Sequence, residues 1–257
     1  LGSRGMVGGA LVRLLANVPN LAKIHLVDRG SVDLMDYGQT AAAIAEISPD
    51  WVIVAAAKVG GIAANEKYPA EFIYNNLCIQ NNAIEGARQA GVEKLIFLGS
   101  SCIYPKFAAN PIKENALLSG SLEPTNEPYA IAKIAGIVLC DACNRQYNLD
   151  YRSLMPCNLF GPGDNYHQTN SHVIPALIRK FHEAKINKVD EVTIWGDGSA
   201  LREFLYVDDL CSAVIHCMSM SEKSFRDIVP AGSKHINVGS GIEISVGELA
   251  KEVGDVV

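Results

Sequence analysis

Residues 1–15 read LGSRGMVGGALVRLL, and the fold turns on how this stretch is read. Gly2, Gly5 and Gly8 stand three apart and lead into helical spacing over 6–17. Glycines at that interval let backbone approach a ligand closely, and the following helix offers unpaired amide hydrogens and the positive end of its dipole. A pyrophosphate suits such a turn. Alone the signal is weak, because glycine-rich turns join many strands to helices. A strand should feed the turn, yet none precedes Leu1, so the sequence reads as truncated at its front. Its end inside helical GELAKEVGDVV reads the same way.

Working outward, aliphatic runs at 24–27, 52–56, 95–98 and 151–155 have the density of strands covered on both faces. Helical spacing over 38–47, 69–90 and 128–147 alternates with them, and Gly91 sits where a C-terminal stop belongs. That alternation predicts an α/β chain built as a Rossmann-like doubly wound parallel sheet. After residue 160 the pattern loosens: a Gly161-Pro162-Gly163 turn, a helix over 173–185, and short strands at 192–195 and 235–238. The reading is a dinucleotide-binding domain over 1–160, joined by about 201–220 and 235–240. The rest of 161–257 is a smaller, incomplete substrate-binding portion.

Composition limits the function. The 257 residues, 49% hydrophobic and 19% charged, can bury a large core and exclude a disordered chain. A net charge of -6 gives no long-range attraction for nucleic acid or anionic lipid, which leaves small-molecule work. The apolar run 51–57 is far short of the ~20 residues a membrane span needs. Seven scattered cysteines, an odd number, fit reduced thiols in the cytoplasm. Cys140 and Cys143 form a C-x-x-C in the middle of a helix and read as structural. The six histidines show no ligand spacing, so no metal is expected.

Three groups carry the chemistry. The run 24–27, second in the sheet once the missing leading strand is counted, ends at Val27-Asp28-Arg29, where an acid would bind a ribose 2′-hydroxyl and a basic group a 2′-phosphate. Arg4 adds a second guanidinium, which favours NADP, with NAD the alternative if Asp28 alone serves. Tyr129 and Lys133 in EPYAIAK share a helix face, and an ammonium beside a phenol should pull its pKa down. The run 95–105, LIFLGSSCIYP, brings Ser100 to share a substrate carbonyl oxygen with Tyr129, and leaves Cys102 as either core filling or a group that handles a proton.

The ordered set GSRGMVG, AAAKVGGI, LGSSCIYP, EPYAIAK, MPCNLFGPGDN, SHVIPALIRKF, REFLYVDDL and HINVGSG resembles the extended short-chain dehydrogenase/reductases, and within them the GDP-L-fucose synthase branch. The resemblance runs from Gly2 to the last twenty residues. It implies NADPH-dependent conversion of GDP-4-keto-6-deoxy-D-mannose to GDP-L-fucose by epimerisation at C3 and C5 and reduction at C4. It implies catalytic roles for Ser100, Tyr129 and Lys133, with Cys102 as base and His172 as acid. A cationic neighbour should bring the thiol toward its reactive pKa. Cofactor contacts are implied at Gly2, Ser3, Arg4, Gly5, Met6, Val7, Gly8, Arg29, Leu34, Leu98, Lys133, Pro156, Asn158 and His172. Substrate contacts are implied at Lys180, Trp195 and Arg202, with lysine at 180 where the branch has arginine. Pairing of helices 69–90 and 128–147 into a homodimer is implied as well. A dehydratase would need an acid in SSCIYP, and a simple 4-epimerase has no use for a Cys–His pair. The rival outside this chemistry is a non-catalytic NADP-binding regulatory module, or another nucleotide-sugar epimerase/reductase within it.

Overall fold

The computed structural model describes residues 1–19 and 21–257. In chain order the elements are α1 (Met6–Leu15), α2 (Tyr37–Ile47), β1 (Trp51–Val54), α3 (Ile62–Lys67), α4 (Pro69–Gln89), β2 (Lys94–Leu98), α5 (Glu127–Tyr147), β3 (Asp150–Pro156), β4 (Asn158–Phe160), α6 (Val173–Asn187), β5 (Leu201–Tyr206), α7 (Val207–Ser219), α8 (Glu222–Ile228), β6 (Ile236–Val238), β7 (Glu243–Ser245) and α9 (Val246–Val256). The main sheet is parallel throughout, in the order β1-β2-β3-β6. Its central strands β2 and β3 are buried on both faces: α2, α4 and α5 cover one side with Ile44, Ile84 and Ile137, while α1 and α7 cover the other with Leu11, Leu210 and Val214. This is the α/β, Rossmann-like arrangement that the alternation predicts.

A second sheet, β4-β5-β7, pairs β4 with β5 in parallel and β5 with β7 antiparallel, against α6 and α9. Two expected strands are absent, each for want of a neighbour. Over 24–27 only Val27 finds backbone partners, its carbonyl accepting from the Gly2 and Ser3 amides at 2.8 and 3.2 Å. The edge of β1 is met by Leu1, whose amino group donates to Ile53 O and whose carbonyl accepts from Ala55 N. Residues 192–195 form no ladder either; the Thr193 carbonyl accepts the Lys180 ammonium at 2.8 Å.

Helix boundaries follow local chemistry. Pro69 and Pro128 occupy the first turns of α4 and α5, where a missing N–H costs nothing. Asp36 caps α2 through the Gln39 amide, and Ser245 with Glu248 forms a reciprocal capping box on α9. Gly91, at φ +72, ends the turn after α4. Among the described residues no helix is long and apolar enough to cross a membrane.

Candidate active site

The site lies at the C-terminal end of the main sheet. Leu98 closes β2, and Gly99 follows with no room for a side chain: a Cβ there would stand 2.1 Å from the Met155 sulfur. The chain then turns through a short 3-10 helix, Ser101–Ile103, with Ser100 capping it by accepting the Cys102 amide. Ser100 and Cys102 are thereby presented side by side.

Tyr129 and Lys133 project from the first two turns of α5 onto this turn. The Lys133 ammonium is buried and donates to the Leu98 carbonyl at 2.8 Å. It lies 4.8 Å from the Phe97 ring centroid and 5.8 Å from that of Tyr129. Phe72 of α4 meets the Tyr129 ring edge-on at 6.1 Å. The electrostatics correct two expectations. Burial pushes the Tyr129 phenol well above its ordinary value, with the Cys102 charge adding to this and Ser100 opposing it, so the lysine does not draw the phenol down. Burial likewise lifts the Cys102 thiol to about 11, against the opposing pull of Ser100 and Lys133. Lys133 is lowered by burial to about 8. Desolvation outweighs the charge pairing that sequence alone suggested.

At the front of the domain, Gly2 has φ +86 and packs so closely on the Ala55–Ala56 backbone that a Cβ would fall 2.7 Å from Ala56 N. A Cβ on Gly8 would stand 2.0 Å from the Gly2 carbonyl oxygen. The turn over Gly2, Ser3, Arg4 and Gly5 is thus drawn tightly onto α1, whose first residues, Met6, Val7 and Gly8, carry amides without helical acceptors. Gly5 caps that helix with no side chain. The Arg4 guanidinium is exposed and pairs with Asp28 at 2.6 Å, while Asp28 also accepts the Gly30 amide at 2.7 Å. Arg29 is exposed beside them. A cradle that only glycine permits, next to an open guanidinium, fits a dinucleotide with a phosphate on its ribose. Leu34 is packed in a small apolar cluster with Val27 and Ile79, and its carbonyl accepts from Asn82.

The other expected residues lie on β3 and beyond it in the chain. Pro156 is buried on β3, and Asn158 begins β4 with its amide donating to Glu203 O at 2.9 Å. His172 caps α6 and accepts the Ala176 amide on its carbonyl. The Asp164 carboxyl, raised by burial, is drawn back by the Asn165 amide and by the His172 charge. Lys180 on α6 lies 5.8 Å from the Trp195 ring, which is 70% exposed. Arg202 is exposed on β5 and bonds the Leu201 carbonyl. Lys180 and Trp195 are brought together; among the described residues no hydrogen bond or ion pair joins Arg202 to them or His172 to Cys102. Phe72, Gly60 and Gly61 also belong to the site's frame. The AAAKVGGI run flagged the two glycines without giving them a task, and nothing in the sequence pointed to Phe72. Among the described residues, no three His, Cys, Asp or Glu side chains converge as a metal site would require.

The family described as NAD dependent epimerase/dehydratase matches residues 1–239. The chain belongs to that family. Among its relatives, the GDP-L-fucose synthase of Escherichia coli is 51% identical over 256 residues, covering 100% of this chain and 79% of that protein. GDP-L-fucose synthase 1 of Arabidopsis thaliana is 52% identical, covering 100% of this chain and 76% of that one. A solved GDP-D-glycero-L-gluco-heptose synthase from Campylobacter jejuni, in the presence of NADPH, superposes with a TM-score of 0.90 at 34% identity, covering 99% of this chain and 83% of that one. Family membership fits the parallel sheet and the glycine cradle already described.

Proposed function

We propose that this chain is an NADP-dependent epimerase/reductase that converts GDP-4-keto-6-deoxy-D-mannose to GDP-L-fucose. The observation that carries the reading is the convergence of Ser100, Cys102, Tyr129 and Lys133 on one turn, in a chain about half identical to GDP-L-fucose synthases.

C3 and C5 both flank the C4 carbonyl, so loss of either proton puts negative charge on the same oxygen. Ser100 and Tyr129 are the donors to that oxygen, and one anion site then serves both epimerisations. Burial holds Tyr129 neutral, which keeps its proton available to donate. Cys102 takes a proton from one face of the sugar and His172 returns one to the other. With its thiol near 11, Cys102 is a strong base once ionised and is ionised only in a small fraction of molecules. NADPH, when bound, supplies the hydride that reduces C4. Tyr129 gives its proton to the C4 oxygen, and the Lys133 ammonium balances the phenolate left behind. The glycine cradle over residues 2–8 and the guanidinium of Arg4, with Arg29, hold the dinucleotide. Lys180, Trp195 and Arg202 receive the GDP moiety, on a substrate portion drawn from 161–257. The enzyme acts in the cytoplasm as a homodimer through α4 and α5.

The test is an incubation of GDP-4-keto-6-deoxy-mannose with NADPH in deuterated water, following NADPH oxidation and deuterium at C3 and C5. Wild type should label both carbons and consume NADPH. Cys102→Ser should lose labelling by roughly 10²–10⁴-fold. Normal labelling in that variant would make Cys102 core filling. NADPH binding without labelling or oxidation would favour the non-catalytic module, or a related GDP-sugar enzyme with another substrate.

A further inference from the structure

The run Lys58, Val59, Gly60 and Gly61 leaves β1 and meets, more than a hundred residues later in sequence, the segment that delivers His172. The Gly61 amide donates to the Asn170 carbonyl at 3.2 Å. Gly61 has φ −66 and ψ −179, ordinary extended backbone, so conformational freedom is not what requires glycine there. Space is. A Cβ on Gly61 would stand 2.5 Å from the Ser171 carbonyl oxygen, and Ser171 is the residue before His172. The obstructing atom is backbone, which cannot rotate aside as a side chain could.

The turn is fixed from behind by two buried amides. Asn65 on α3, 6% exposed, donates to Gly60 O at 2.8 Å and Gly61 O at 3.1 Å. Asn76 on α4, 2% exposed, accepts the Lys58 amide and donates to the Lys58 carbonyl, both at 2.9 Å. The Asn65 side-chain oxygen is buried without a partner among the described residues. The orphaned acceptor, at about 1–3 kcal/mol, offsets part of what the two donations contribute, so the amide's clearest effect is to hold the Gly60 and Gly61 carbonyls in place. Phe72 joins the same frame: its ring tip would lie 3.2 Å from a Cβ on Gly60, and its edge faces Tyr129.

We infer that Gly61 and Asn65 are positioning residues that set where His172 stands relative to Tyr129 and Cys102. The inference rests on His172 being the proton donor of the epimerisation. Restoring ordinary contact at Gly61→Ala means moving the Ser171 carbonyl from 2.5 Å to at least 3.4 Å, a shift of about 1 Å. A displacement of that size near a reacting group can cost about 10²-fold in rate.

The experiment uses the full chain with ¹³C-labelled histidine, comparing wild type, Gly61→Ala, Asn65→Leu and His172→Asn. The ring resonance of His172, assigned by its loss in His172→Asn, should move in both positioning variants. Those of His25, His216 and His235 should stay in place, which shows the fold intact. Single-turnover labelling from deuterated water should fall tenfold or more in both variants, while the NADPH dissociation constant changes less than twofold. The inference is overturned if the His172 resonance and the labelling rate keep their wild-type values. It is equally overturned if every histidine resonance moves and NADPH binding is lost, the pattern of a structural lesion. If the His172 resonance moves but labelling persists, in His172→Asn as well, positioning stands and the acid role of His172 falls.

Discussion

At the scale of single residues, burial governs the charges at the site. Cys102 and Lys133 are driven in opposite directions by the same desolvation, each toward its neutral form. A raised thiol pKa has a definite consequence for stability. Between its ordinary value of 9.0 and about 11, the unfolded chain sheds the Cys102 proton while the folded chain keeps it. The contribution is therefore intact below pH 9 and lost as pH climbs through 11. Lys133 has the opposite sign, since its folded form loses a proton from about 8 while the unfolded form holds it until 10.5, so stability rises there. Lys133 is common to both proteins, so comparing wild type with Cys102→Ala reads the thiol together with its coupling to that ammonium. Urea unfolding from pH 8 to 10.5 should show wild type losing ground to the variant by up to about 2 kcal/mol. Parallel pH curves would mean the thiol is better solvated than its packing implies. Sequence spacing sufficed to place Tyr129 and Lys133 on one face, because four residues is a helical turn. It could not give their burial, which depends on Phe72 and Phe97 arriving from other elements.

At the scale of elements, the helices were legible, and of the short strands only β6 at Ile236–Val238 was, within the 235–238 run. Runs at 69–90 and 128–147 became Pro69–Gln89 and Glu127–Tyr147, since periodicity, a first-turn proline and a stop signal all act locally. Asn158–Phe160 and Glu243–Ser245 have three residues each, too few for alternation to register. Leu201–Tyr206 reads LREFLY, with Arg202 exposed and Glu203 half-buried beside it, and its pairing with β4 and β7 is wholly non-local. The glycine turn and α1 offer a paired test of what local spacing means. Gly8→Ala would drive a methyl to 2.0 Å from the Gly2 carbonyl, which neither helix nor turn can relieve cheaply. It should cost about 1–3 kcal/mol and weaken NADPH binding tenfold or more. Gly9 is the next residue on the same helix, and its Cβ would meet only Ser3 O at 4.0 Å. Gly9→Ala should stabilise the chain by about 0.5–1 kcal/mol through helix propensity. Urea unfolding with a fluorescence titration of NADPH reads both, and equal effects from the two substitutions would refute the packing argument.

At the scale of the whole molecule, the chain leaves the main sheet after β3, builds β4 and β5, and must return through α7 and α8 before β6 can close on β3. What holds that return is a buried cation. Arg152, at the heart of β3 and 1% exposed, donates to Asp150 and to the carbonyls of Cys217 and Met220, and its guanidinium lies 4.7 Å from the Phe225 ring centroid. Lys94 adds donations to Met218 O and Met220 O at 3.3 and 3.1 Å. Two strands of the main sheet thus supply the cations that satisfy the carbonyls at the end of α7, where a helix leaves acceptors unpaired and its dipole is negative. Arg152→Met keeps much of the volume and removes the charge. It leaves the Asp150 carboxylate without its partner and the Cys217 carbonyl without this donor, while the Met220 carbonyl keeps Lys94, at a cost of about 3–5 kcal/mol by urea unfolding. Adding Asp150→Asn removes the stranded charge but leaves the Cys217 carbonyl without its donor, so the double variant should recover part of the loss and not all of it. Full recovery would mean that the ion pair alone carries the effect and that the end of α7 needs no cation besides Lys94. No recovery would place the whole cost at the Cys217 carbonyl, and with it the joint between the returning segment and the main sheet.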